Sequence, residues 1–365
     1  MLPESAPFVP ASFDGVQRRY LLNELLRGVS RSFYLTLRVL PQPLREPIST
    51  AYLLARAADT IADTEVVPAD KRCVALRQFR DQLVADEPSR AALERLQAGL
   101  TGRLDHPSEK ELLTKLPALF ELLLRQTTPD RRLIRQVVLT LSEGMVDDLE
   151  RFQVARESSA GVTALRDDEQ LERYTYLVAG CVGEFWTEIS IAHIEALQEW
   201  AVEPYREQQL QFGIRFGKAL QMTNILRDVP RDLQIGRCYL PQPWLDEVTL
   251  TPAALMDVVN SDAARPALMK GIRIALAHYS AAEQYLTALP RRCLRLRLAA
   301  LWPMLIGLET LVRLSQQQAW LEPEIVCKVD RKWLYRMLLL SCGAVFSNTV
   351  LRWWCGRLRG RILFE

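Results

Sequence analysis

The stretch Tyr52-Leu-Leu-Ala-Arg56-Ala-Ala-Asp59-Thr-Ile-Ala-Asp63 decides how the rest of the chain is read. Steps of four, three and four residues separate Tyr52, Arg56, Asp59 and Asp63. On a helix this spacing sets a phenol, a guanidinium and two carboxylates along one stripe. Ala, Leu and Ile flank the stripe, so it is expected to face an apolar interior. Desolvating a carboxylate is expensive, and two on one inward stripe require a cation. A second stretch mirrors the first: Lys218-Ala-Leu-Gln221-Met-Thr-Asn224-Ile-Leu-Arg227-Asp228-Val-Pro-Arg231-Asp232. Gln221, Asn224, Asp228 and Asp232 again share a stripe, with Arg227 beside it, and Pro230 is expected to end or kink the helix near Asp228.

Helical periodicity runs from about Val16 almost to the end, with expected helices near 68–84, 109–126, 130–154, 264–289, 292–317 and 330–356. Short helices and loops are expected over 84–110 and a weak helix near 251–259. No strand-period run stands out. The fold class is therefore all-α, with ten or more helices. With 49% hydrophobic and 25% charged residues and no Gly/Ser/Pro-rich linker, one domain over 1–365 is expected, with an irregular arm at 1–15 and a basic helix and tail at 324–365.

A net charge of +2 gives no global field for nucleic acid. The seven cysteines lack CxxC spacing and the three histidines are isolated, which argues against a disulfide framework or a zinc site. The start has no signal-peptide pattern and no segment is read as reaching the ~20 apolar residues of a membrane span. Met337–Phe346, the best candidate, is read as a buried helix. The location expected is cytoplasmic.

Oxygen-only ligands suit a hard cation such as Mg²⁺, which takes one or two carboxylates and completes its shell with water and phosphate oxygens. Two such stripes would hold several ions with a polyanion between them, and Arg31, Arg56, Arg227 and Arg237 offer forks for phosphate. Metal and arginine together would help a diphosphate leave. No nucleophile set stands near, so ionisation to a carbocation is expected, inside an apolar cavity with aromatic faces such as Phe33, Tyr52, Tyr174 and Phe185. Gly28-Val-Ser30-Arg31-Ser32-Phe33 reads as a helix start that favours anions, or simply as a capped helix. Asp147 and Asp148 are given an outer or solvated role. Gly180 and Gly183 mark either a kink and an open face or close helix packing.

These residues resemble the squalene/phytoene synthase family. The carriers are SRSF at 30–33, YxxxRxxDTxxD at 52–63, RY…VAGCVG at 173–183, QxTNILRDVxxD at 221–232 and GRCYLP at 236–241, over about residues 20–335. The resemblance implies an isoprenoid synthase fold around a central cavity, with the two acidic stripes at its mouth. It implies condensation of two farnesyl diphosphates through presqualene diphosphate and, in the squalene-forming branch, reduction with NADPH. It makes Asp59, Asp63, Asn224, Asp228 and Asp232 Mg²⁺ ligands, and Ser30, Arg31, Ser32, Tyr52, Arg56, Arg227 and Arg237 diphosphate contacts. Tyr174 becomes the catalytic tyrosine, and Phe33, Phe185 and Gln221 line the cavity. Ala62 and Arg231 stand where eukaryotic members carry an extra acid. Lys328, Arg331 and Lys332 resemble the basic stretch associated with NADPH, though they read equally as a solvated helix start, and no GxGxxG is present. On this resemblance the chain is expected to lack the membrane anchor of eukaryotic members, as a bacterial-type enzyme would. The Arg- and Trp-rich tail from Arg352 to Phe364 suggests peripheral contact with a membrane surface rather than nucleic acid. A monomer or weak dimer is expected. The alternatives are a phytoene- or dehydrosqualene-type synthase without reduction and a non-enzymatic helical protein of the membrane surface.

Overall fold

The computed structural model describes residues 14–30, 33–64, 66–102, 104, 106–157, 161–325 and 327–362, excepting the side chains of 153–157. Arg31 and Ser32 fall outside the described residues, as do residues 1–13 of the N-terminal arm and 363–365 of the tail. Among the described residues the structure is 79% helical with almost no strand, the all-α isoprenoid synthase fold expected. It divides into two compact units, residues 1–150 and 151–365.

In the first unit, short helices from Gly15 to Ser30 and at Tyr34–Val39 precede α1 (Gln42–Asp63). Pro43 lies in the first turn of α1, where a missing N–H costs nothing, and Leu44, Ile48, Ala51, Leu54, Ala58 and Ile61 bury one face. Then come α2 (Ala69–Val84), α3 (Arg90–Thr101), α4 (Pro107–Thr114) and α5 (Leu116–Leu124), with α6 (Thr128–Glu157) spanning the division. The single helix expected near 109–126 is thus two, parted at Lys115.

The second unit holds α7 (Asp168–Thr175), a wide turn Tyr176–Gly180, α8 (Cys181–His193), α9 (Tyr205–Gln234), α10 (Arg265–Ala288), α11 (Leu294–Gln316), α12 (Arg331–Ala344) and α13 (Asn348–Arg359). Two strands not foreseen, β1 (Thr163–Leu165) and β2 (Arg237–Pro241), pair in parallel. Three residues are too few to display a period of two. Of the two expected outcomes, Pro230 does not end α9, which runs through it to Gln234. Proline removes one backbone bond, and the buried Leu226, Val229 and Leu233 hold the helix together across it. Gly236, at φ 80°, then turns the chain into β2.

Gly183 and Gly213 let α8 and α9 touch backbone to backbone. A Cβ on Gly183 would lie 1.8 Å from the Gly213 carbonyl oxygen, and one on Gly217 would lie 2.1 Å from that of Ala179. Close packing and a widened turn therefore coexist at this glycine pair. Hydroxyl bonds Thr223–Tyr279 (2.9 Å) and Thr187–Tyr285 (3.3 Å) tie α9 and α8 to α10.

The helix expected over 330–356 breaks at Ser347, whose hydroxyl caps α13 through Val350 N. Met337–Phe346 is not a buried helix, since Leu339, Leu340 and Phe346 are exposed. The segment long and apolar enough to span a membrane among the described residues is instead α11; 72% of its apolar window is buried inside the protein.

Arg297 of α11 is fully buried. It donates to the Val345, Leu286 and Leu289 carbonyls and to Asn348 Oδ1, joining the α12–α13 bend to the end of α10. Replacing it strands several buried acceptors, so Arg297→Met should lower unfolding free energy by about 3 kcal/mol. Urea denaturation of the full chain measures this.

Candidate active site

The first acidic stripe is built by α1. Tyr52 stacks on Phe33 with centroids 5.4 Å apart and planes at 20°, and its hydroxyl donates to the Val29 carbonyl. Arg56 pairs with Asp59 and, at 2.6 Å, with Glu109 on α4. Burial opposes the charge on Arg56, but Asp59 and Glu109 outweigh it and raise its pKa. Its Nε is buried and has no acceptor among the described residues.

The stripe does not face an apolar interior as expected. The Asp59 side chain is 37% exposed and Asp63 is exposed, because α1 ends there and its last turn emerges. Ser30 also departs from expectation. It closes the helix Leu26–Ser30 rather than opening one, and its buried hydroxyl donates to the Leu26 carbonyl. Asp148 is buried, which excludes a solvated role for it, and Asp147 is half-buried. Glu109 was not foreseen. In sequence it is one acid in the first turn of a surface-like helix, with no local signal joining it to Arg56.

The second stripe lies on α9. Gln221, Asp228 and Asp232 are half-buried and Asn224 is exposed. Arg227 forks onto Asp228, with Nε 2.8 Å from Oδ1 and Nη2 on Oδ2. That pair, its hydrogen bonds foremost, raises the Arg227 pKa against the cost of burial. Each stripe thus carries its own guanidinium.

Tyr174, Tyr239, Phe152 and Arg237 come together beside it. Tyr174 stacks on Tyr239 at 4.6 Å and 20°, and Tyr239 meets Phe152 edge-on at 5.4 Å. The Arg237 guanidinium lies 6.0 Å from the Phe152 ring centroid and 3.5 Å from the Tyr239 hydroxyl. Tyr239 and Phe152 had no assigned role, although Tyr239 sits in the GRCYLP segment. Phe185 is buried on α8, and burial pushes the Cys181 thiol up to about 12, a poor nucleophile. Lys218, nearly buried, pairs with Glu172 and lies 5.7 Å from the Tyr176 ring centroid, while the Tyr176 hydroxyl donates to Glu184.

Lys328, Arg331 and Lys332 are all exposed around the start of α12. Asp330 caps that helix through Trp333 N and pairs with Arg313, which also bonds the Lys328 carbonyl. Among the described residues no three His, Cys, Asp or Glu side chains form a metal-binding group.

A family model for squalene/phytoene synthase matches residues 26–333. The chain belongs to the squalene/phytoene synthase family. That span contains every site residue discussed above, and residues 334–365 lie beyond it. The family member is 29% identical over 270 residues to presqualene diphosphate synthase of Rhodopseudomonas palustris, covering 73% of this chain and 78% of that one. It is 27% identical over 288 residues to a bifunctional lycopene cyclase/phytoene synthase of Colletotrichum graminicola, covering 79% of this chain but 44% of that relative's length. The fold of TcSQS, a squalene synthase solved with the ligand E5700, superposes with a TM-score of 0.73 at 20% identity, covering 95% of this chain and 92% of that one.

The α8–α9 contact that aims the second stripe gives a direct test. Gly183→Ala and Gly217→Ala should each cost about 2 kcal/mol or more by overpacking. Gly356→Ala, on a helix face with open space around it, should be neutral or slightly stabilising. Thermal unfolding compares the three.

Proposed function

We propose that this chain is a prenyltransferase of the squalene-forming branch. It condenses two farnesyl diphosphates to presqualene diphosphate and reduces that intermediate to squalene with NADPH. The observation that carries the reading is the pair of acidic stripes, each with a guanidinium beside it, in a chain of this family. The buried, unpartnered Nε–H of Arg56 adds a donor suited to a phosphate oxygen.

Mg²⁺ fits two donor sets, Asp59 with Asp63 on α1 and Asn224 with Asp228 and Asp232 on α9. All ligating atoms are oxygens, and the partly exposed carboxylates leave room for water and phosphate in the shell. The ion supplies Lewis-acid neutralisation of a leaving diphosphate. Arg56, Arg227 and Arg237 orient the diphosphates, and Glu109 aims Arg56. Arg31 and Ser32 complete the diphosphate contacts in this proposal, whereas Ser30, whose buried hydroxyl is spent on the Leu26 carbonyl, does not join them. Joining the two allyl units releases one diphosphate and one proton, and Tyr174, stacked on Tyr239, handles that proton or faces the cation. Phe33 in the first unit and Phe185 and Gln221 in the second are the side chains proposed to shield the reacting carbons from water. Lys328, Arg331 and Lys332 are the residues to hold the NADPH phosphates, their ammonium and guanidinium groups matching that charge. Bound there, NADPH would supply the hydride of the second step, which takes the place of the second diphosphate as that group leaves.

The second reading, a phytoene- or dehydrosqualene-type synthase, draws on the resemblance to the bifunctional fungal relative. Either product is a long hydrocarbon, so a membrane-surface location belongs to both.

Incubation with farnesyl diphosphate and Mg²⁺ should give squalene only when NADPH is added; dehydrosqualene regardless of NADPH, or phytoene from geranylgeranyl diphosphate, would establish the second reading instead. Chelation by EDTA should abolish turnover. Asp59→Asn and Asp228→Asn should each lower kcat/KM by about a thousandfold with circular dichroism unchanged, and intact turnover would refute the enzyme reading. Glu109→Gln should lower it about tenfold, equivalent to ~1.4 kcal/mol of transition-state stabilisation, with partial recovery in Glu109→Asp.

A further inference from the structure

Two features meet in the α12–α13 hairpin. Over the whole sequence 46 basic residues balance 44 acidic ones, yet from Arg331 to Phe364 there are seven basic residues and no Asp or Glu. The same hairpin exposes large apolar side chains side by side: Tyr335 (68%), Leu339 (75%), Leu340, Phe346, Val350 and Trp353 (61%). Among the described residues, the exposed Phe and Trp side chains, Phe346 and Trp353, both lie here. Isolated exposed apolar residues need no explanation, whereas a contiguous patch does. Between the two helices runs a groove of about 290 Å³, walled by Trp333, Leu340, Trp353 and Trp354 and including Arg336 and Arg357. The Arg357 guanidinium lies 5.6 Å from the Trp353 ring centroid.

The charges choose the occupant. Arg359 and Arg361 are already paired with Glu283 and Glu309. Arg336, Arg352 and Arg357 are exposed beside the apolar patch. A second copy would set like charges against each other, which disfavours self-association. Nucleic acid would accept the arginines but offers nothing apolar to Leu339 and Leu340. An anionic bilayer satisfies all three features: phosphates for arginine, an interface for tryptophan and tyrosine, and acyl chains for leucine.

We propose that the α12–α13 hairpin docks the chain on an anionic phospholipid membrane. Leu339, Leu340, Phe346 and Trp353 enter the headgroup–acyl boundary, and Arg336, Arg352 and Arg357 meet lipid phosphates. This deepens the membrane-surface reading and rests on it, while standing apart from the choice of product.

The test is flotation of the full-length protein with phosphatidylcholine vesicles, with and without phosphatidylglycerol. The wild type should float with the phosphatidylglycerol vesicles and hardly with phosphatidylcholine alone. Leu339→Glu with Trp353→Glu should cut partitioning at least tenfold. The triple change of Arg336, Arg352 and Arg357 to Gln should cut it about a hundredfold, at roughly fivefold per charge. All substituted positions are exposed, and thermal unfolding confirms that each variant folds. A fluorophore on Cys342, exposed on the same hairpin, should shift to the blue on binding. A wild type that does not float overturns the membrane reading and the hairpin with it. A variant with all five substitutions that floats as well as the wild type leaves the membrane reading standing and overturns the hairpin. Equal flotation with both vesicle types overturns the role of the arginines. A dimer broken by Leu339→Glu and Trp353→Glu shows that a second copy covers the patch, and overturns the proposal.

Discussion

The approach of α8 to α9 is the constraint on which the second unit depends. Ordinary side chains hold helix axes about 8–10 Å apart. Here the Gly183 and Gly213 backbones touch, and the Thr187 hydroxyl satisfies the Gly183 carbonyl at 2.8 Å. That contact leaves little freedom of rotation to α9. The stripe of Asn224, Asp228 and Asp232 therefore points where the glycines send it. Tyr279, fully buried against Thr223 and beneath Gly307, fixes another face of the same helix.

The second organising theme is compensation of charge. Arg56 sits between Asp59 and Glu109, and Arg227 lies fork-on to Asp228. Neither acidic stripe is bare, and neither is deeply buried. A carboxylate that keeps some water and one guanidinium can exchange partners at modest cost, whereas a fully desolvated one is locked to whatever neutralises it. The sequence reading placed these acids in an apolar interior because apolar residues flank them along the chain. Ala58 and Ala62 are indeed buried, but at the end of α1 the acids turn outward.

Legibility followed distance along the chain. The stripes were readable because i,i+3 and i,i+4 spacing is a local property, and most long helices announced themselves by apolar period. The pairs Arg56–Glu109 and Tyr174–Tyr239 join distant segments, and no spacing rule reaches that far. Breaks were harder than helices: Lys115 and Ser347 interrupt runs whose apolar pattern continues on both sides. The period of α12 showed an apolar face but not what covers it, so exposed Leu339 and Leu340 were read as buried.

Arg297 bears on the hairpin in another way. It bolts Val345 and Asn348, the two flanks of the bend, to the end of α10. A tail on a flexible tether lets the body it anchors tumble freely above the surface. A hairpin fastened through a buried cation hands its own tilt to the helices behind it, so the second unit meets a flat surface at one angle.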